Sequence, residues 1–124
     1  MTSTLTCNAI IVCCSDFRVQ KFIRQFTDEK LAGKTFDMVG YAGSTKDLDI
    51  ILKQIDISIK HHGIKQVILI HHEECDIYGI ESNLEHHISD LNRAKTMILK
   101  THPDLKIDLY YLTLDGEFQV INTL

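Results

Sequence analysis

Ala9-Ile10-Ile11-Val12-Cys13-Cys14-Ser15-Asp16-Phe17-Arg18 is the stretch that decides the fold. Its first half is continuously apolar and largely β-branched, as expected of a strand buried on both faces of a parallel sheet. Its second half turns small, polar and charged, so the strand ends in a chemically equipped loop. A second stretch repeats the plan, with Val67-Ile68-Leu69-Ile70 running into His71-His72-Glu73-Glu74-Cys75. In a parallel sheet both strands point to the same edge. Cys14, His72 and Cys75 then meet at the carboxyl ends of the strands, where open α/β sheets build their sites. Two thiols and an imidazole form a soft donor set that favours zinc, and three ligands leave a fourth position open for chemistry.

Outward from these two stretches, strand and helix patterns alternate. Strands are expected at 8–13, 35–39, 66–70, 106–114 and 118–121, the last pair joined by an Asp115-Gly116 turn. Val19, Phe22, Ile23 and Phe26 fall at helical spacing after the first strand. A second helix over 46–61 carries Leu48, Ile51, Leu52, Ile55 and Ile59 on one face, and Gly63 sits where a C′ glycine would stop it. Ser82 and Glu85 read as a capping box opening a third helix, with Leu84, Ile88, Leu91 and Ile98 as its core stripe and Pro103 closing it. The expected architecture is α/β: a single domain over residues 1–124 with a mostly parallel central sheet flanked by helices.

Composition narrows the function classes. At 124 residues the chain holds one substantial core. No apolar run approaches the roughly 20 residues of a membrane span. The start of the sequence, Met1 to Thr6, lacks the basic and apolar character of a signal peptide, so a cytoplasmic, reducing location is expected. The net charge of −4 and the scattered Lys and Arg residues argue against a nucleic-acid partner. In that setting cysteines beside a histidine point to metal or catalysis rather than to disulfides.

Each residue also has a simpler reading. Taken singly, any of the cysteines is a small buried hydrophobe. Asp16 and Arg18, two apart, can pair in extended backbone and keep the carboxylate ionised and oriented. Ser15 or Asp16 can equally cap the following helix, and both roles are compatible. The spacing from Cys13 or Cys14 to Arg18 is too short for the loop of a cysteine phosphatase. Strand alternation is expected to turn only one of His71 and His72 inward, and three-residue spacing to Cys75 favours His72, with His71 a proton shuttle by position only. His61-His62 suit a helix C-terminus. His86-His87 and His102 are expected on the solvated side of the third helix, and Glu73 and Glu74 as loop charges or outer partners of a ligand.

Together these residues resemble the β-class carbonic anhydrases. That family carries Cys-x-Asp-x-Arg after its first core strand and His-x-x-Cys after a later one. Here Cys14-Ser-Asp16-Phe-Arg18 and His72-Glu-Glu-Cys75 stand in those places. Ala42-Gly43 matches the family's Ala-Gly after the second strand, and Gly63-Ile64-Lys65-Gln66-Val67 its lead-in to the histidine. The sequence departs at Asp76, where the family has glycine, and at Gly40-Tyr41, where it has Arg-Asn. The resemblance implies zinc held by Cys14, His72 and Cys75, with Asp16 and Arg18 as an orienting dyad. It implies hydration of carbon dioxide to bicarbonate by a zinc-bound hydroxide, in a homodimer or larger homo-oligomer. Two alternatives remain: hydrolysis of carbonyl sulfide or carbon disulfide on the same scaffold, and a zinc-binding relative with weak or no catalysis.

Overall fold

All five residues of β1 (Ala9–Cys13) are buried, because the strand has helices over both faces and strands on both sides. The structure, a computed structural model, describes residues 5–122; the signal-peptide reading at 1–4 lies outside the described residues. The sheet has the order β2-β1-β3-β4-β5, with β2 (Phe36–Gly40), β3 (Gln66–His72) and β4 (Lys106–Leu112) parallel to their neighbours. The short β5 (Phe118–Val120) returns antiparallel along β4. This is the mixed α/β fold with a mostly parallel sheet that the apolar patterns predict.

Strand alternation assigns the two faces. Ile10 and Val12 of β1 and Val67 and Leu69 of β3 pack under α2 (Leu48–His62) and α3 (Leu84–Thr101), against Ile51, Ile55, Leu91, Ala94 and Ile98. Ile11, Cys13, Ile68 and Ile70 face the other way, against Ile23 and Phe26 of α1 (Gln20–Lys30). Gly63 ends α2 in the left-handed region at φ 59°, as expected of a C′ glycine.

Most expected boundaries are met within one or two residues, and three differences have a physical reason. β3 continues to His72, because its ladder with β4 runs on through His71↔Tyr111 and His72↔Leu112. β4 ends at Leu112, where Thr113 turns the chain by bonding Glu117. The cap of α3 is Asn83, whose side chain accepts from the His86 amide, and not Ser82. Leu91 and Ile98 of the expected stripe are in the core, but Leu84 is exposed, and His87 and Ala94 complete the buried face.

His87, expected in solvent, is therefore in the core. His71 is buried as well, since a sheet covered on both faces turns neither side of β3 outward. The two imidazoles meet through their Nδ1 atoms at 2.8 Å. Thr45 Oγ1 holds His71 Nε2 at 2.6 Å, and Ser82 Oγ lies 3.0 Å from His87 Nε2. Every ring nitrogen of this seam has a partner, which is what allows two histidines to lie among apolar side chains. Burial pushes both below the usual histidine value of 6.5, His87 to about 4, and neighbouring histidines push the same way.

Two outcomes follow from this packing. A Cβ on Gly116, at φ +95°, would stand 2.6 Å from Phe22 Cε1, whereas one on Gly63 meets nothing. Gly116→Ala should cost about 2–3 kcal/mol and Gly63→Ala about 1 kcal/mol in urea unfolding, and equal costs would contradict this packing. The unfolded chain takes up protons near pH 6.5 that His71 and His87 resist when folded, so stability is complete above that pH and declines as pH falls toward 4. Urea midpoints measured in EDTA should drop from pH 7 to pH 5. His87→Leu should be less stable at pH 7 yet flatten that drop.

Candidate metal centre

β1 and β3 are paired in parallel register from Ala9↔Gln66 to Val12↔Leu69, and this puts the two polar stretches side by side. Beyond β1, Asp16 caps a 3-10 turn, Phe17–Val19, accepting the Arg18 amide at 2.9 Å. Beyond β3, Glu74 takes φ 54°, in the left-handed region, at the turn before Cys75. Cys14, His72 and Cys75 are all buried, and one donor atom from each lies within 4.8 Å of the others. The three residues picked from spacing are therefore brought together, in an arrangement compatible with a metal ion.

Each donor is held by named bonds. His72 Nδ1 is 2.8 Å from the Glu73 carbonyl, an acceptor, so this nitrogen carries the proton and Nε2 carries the lone pair. Nε2 is buried, without a hydrogen-bond partner, and aimed at the thiols. Cys14 Sγ accepts the Gly43 amide at 3.4 Å and lies 4.0 Å from Cys75 Sγ. Gly43 is needed there: its φ is +83°, and a Cβ would press on Ile77 and Lys46 at 3.1 Å. The Cys75 amide donates to Ser82 Oγ at 2.9 Å, which ties this loop to the buried histidine seam. Burial raises the Cys14 thiol, but the His72 imidazole and the Gly43 and Asp16 amides outweigh it and bring it down to about 7. Burial raises Cys75, and the adjacent Cys14 adds to that.

Asp16 and Arg18 form the expected pair, although the cap turn and not extended backbone brings them together. Arg18 Nη2 donates to Asp16 Oδ2 at 2.7 Å and Nε donates to both carboxylate oxygens at 3.2 Å. The same Nη2 donates to the Glu74 carbonyl at 2.8 Å, so one guanidinium joins the two loops. The Arg18 contact holds the Asp16 carboxyl below the usual carboxylate range. Asp16 Oδ2 stands 3.8 Å from His72 Nε2, facing the space between the donors.

A recess of about 330 Å³ opens from Cys14, Asp16 and Cys75 to the surface past Phe17, Ala42, Asp76 and Ile77. Tyr41 is turned away from it, its hydroxyl donating to Asp47 at 3.0 Å. Sequence reading took Ser82 for a helix cap and missed Thr45 and Gln20, whose side-chain amide donates to the Cys14 and Asp16 carbonyls at 3.2 and 2.9 Å. Single polar residues outside any motif leave no periodic trace. Glu73 and Glu74 support the site through their backbone carbonyls, a role that no side-chain pattern announces.

Known proteins are related to this chain in sequence and in fold. The family model described as "Putative carbonic anhydrase" matches residues 4–122. An uncharacterized protein of Rickettsia conorii is 27% identical over 92% of this chain and 72% of its own length. One of Rickettsia bellii is 28% identical over 92% and 81%. Among solved structures, the carbonic anhydrase of Streptococcus mutans superposes with a TM-score of 0.65 at 16% identity, over 98% of this chain and 88% of that one. The β-carbonic anhydrase isoform I of Trichomonas vaginalis gives 0.65 at 16% identity, over 99% and 87%. These structural matches show a shared fold, and the family match adds the sequence relation. This chain belongs to the family that the model describes as putative carbonic anhydrase.

Proposed function

We propose that this protein catalyses the reversible hydration of carbon dioxide to bicarbonate, with zinc held by Cys14, His72 and Cys75. The observation that carries this reading is a buried, unpartnered His72 Nε2 sharing one pocket with two thiols and a carboxylate clamped by arginine. The donor set fits zinc. Two sulfurs each about 2.3 Å from one tetrahedral ion lie roughly 3.8 Å apart, and these stand 4.0 Å apart. When bound, zinc supplies the acidification that makes water nucleophilic near neutral pH.

The chain's own residues supply orientation and exclusion. The Glu73 carbonyl holds the His72 ring through Nδ1, so Nε2 is the nitrogen turned toward the other donors. Asp16 is kept ionised by Arg18 and accepts an O–H at Oδ2, the oxygen facing His72. That bond turns the nucleophile's lone pair toward the substrate, while the low proton affinity of Asp16 keeps it from taking the proton. Phe17, Ala42 and Ile77 give the recess an apolar wall that suits a small uncharged molecule. The free thiols of Cys7, Cys13, Cys14 and Cys75 suit a reducing, cytoplasmic setting.

One observation favours weak catalysis on the same site. Asp76 lines the recess, and its charge adds to the field on Arg18. A carboxylate at the mouth repels bicarbonate. Zinc quantification with stopped-flow hydration from about pH 7 to 9 separates the readings. Stoichiometric zinc and measurable hydration are expected, with Asp16→Asn slower by about 10–100-fold and Asp76→Gly faster than the parent. Stoichiometric zinc without hydration at any pH in that range would refute carbon dioxide hydration and favour the weak or non-catalytic zinc protein. Hydrolysis of carbonyl sulfide or carbon disulfide is tested by offering those substrates in the same assay.

A homodimer or larger homo-oligomer is also proposed. Phe17 and Ile77, which line the recess, are exposed, and so are Ile80 and Leu84 in the segment after Cys75. Large apolar side chains left in water beside a recess are the kind of surface that a protein partner covers. Light scattering should show a dimer or larger assembly that Phe17→Glu with Ile80→Glu converts to monomer; a monomeric parent would refute it.

A further inference from the structure

A second cluster of donors lies at the other end of the sheet, where the strands begin. Cys7 precedes β1, Asp37 is the second residue of β2, and His62 is the last residue of α2. One donor atom from each lies within 4.8 Å of the others. Three separate elements deliver them, and the backbone locks two together, since the Cys7 amide donates to the His62 carbonyl at 3.0 Å. Asp37 Oδ2 is positioned from within the fold by Ser58, a buried side chain whose hydroxyl donates to it at 2.7 Å. His62 Nδ1 lies 2.8 Å from the same oxygen. A surface recess of about 340 Å³, lined by Leu5, Thr6, Cys7, Asp37 and His62, opens onto the cluster.

A thiol, an imidazole and a carboxylate can instead suggest a nucleophile with its base. The geometry argues otherwise. The carboxylate is bonded to the imidazole and also stands beside the sulfur, so it opposes the thiolate. Burial and Asp37 together push Cys7 up, the wrong direction for a nucleophile. A cation reverses that repulsion, because it draws thiolate and carboxylate to one centre while the thiol proton leaves to solvent. One sulfur, one nitrogen and one oxygen form a borderline set that suits a first-row divalent ion of the zinc type.

We propose that Cys7, Asp37 and His62 form a second metal site, for a zinc-like divalent ion, at the amino edge of the sheet. It is independent of the Cys14–His72–Cys75 centre, and the open recess leaves room for solvent to complete the coordination. Its ion would fasten the segment before β1 to β2 and to the end of α2.

Cobalt(II) titration of the full chain, followed by thiolate-to-cobalt charge transfer and metal content, tests the site. The parent should bind about two equivalents, and Cys14→Ser with Cys75→Ser should keep about one, with a charge-transfer band of single-thiolate intensity. Adding Cys7→Ser and His62→Ala should abolish that remaining uptake. A folded Cys14→Ser, Cys75→Ser protein that takes up no cobalt would overturn the proposal, as would uptake that survives loss of Cys7 and His62. If that double variant does not fold, the Cys7→Ser, His62→Ala protein decides: about one equivalent fewer than the parent supports the site, and an equal count refutes it. The carbonic anhydrase reading fails separately, through the equivalent that Cys14 and Cys75 control.

Discussion

The parallel pairing of β1 with β3 is the constraint on which the rest of this molecule depends. Because Val12 stands opposite Leu69, the residues just past each strand end at the same height on the same edge. A slip of one residue would exchange the faces of the whole strand and put His71 where His72 stands. Such a slip is strongly opposed, since Ile68 and Ile70 fill one core, and Val67 and Leu69 the other. Apolar packing therefore sets the position of a polar site that contributes little to the core itself. Arg18 then closes the assembly from outside by donating to Asp16 on one loop and to Glu74 on the other.

Behind this edge the molecule carries a polar seam that its apolar sheet tolerates only because every partner is present. Thr45, His71, His87 and Ser82 form a continuous chain, and Ser82 also accepts the Cys75 amide. The seam thus connects the loop after β2, the end of β3 and the first turns of α3 to the loop that carries Cys75. Loss of any member leaves a buried donor or acceptor unpaired, at a cost of about 1–3 kcal/mol. Such seams are specific where apolar packing is permissive, because directional bonds accept one arrangement only.

The fold was readable from sequence wherever burial is two-sided or strictly periodic. β1 and β3 announced themselves as unbroken β-branched runs, and α2 by its stripe and its C′ glycine. The donors Cys14, His72 and Cys75 were readable because each falls just past such a run, where the direction of the chain is already known. What escaped were features decided by a single competing bond. Ser82 has the sequence context of a cap, yet the Cys75 amide and His87 claim its hydroxyl, and Asn83 caps in its place. His87 escaped because a polar side chain at core spacing from Leu91, Ala94 and Ile98 is buried only if partners such as Ser82 and His71 meet it, and those come from outside the helix. Cys7, Asp37 and His62 escaped for another reason: thirty residues separate the first two, and only the folded sheet edge makes them neighbours.

Arg18 holds the balance between a poised and an idle site. Its guanidinium is shared among Asp16, the Glu74 carbonyl and the field of Asp76. The bonds to Asp16 are the ones that orient it and keep it ionised, so any pull toward Asp76 works against the pair. Geometry favours Asp16 in that competition, because Arg18 meets its carboxylate through two nitrogens and Asp16 is anchored in turn by the Arg18 amide. A bidentate contact on a capped turn loses far less entropy than a monodentate one to a free loop side chain. Asp76 therefore acts on the recess mainly through its charge at the mouth, where it bears on the entry and exit of anions, while the dyad beside His72 stays assembled.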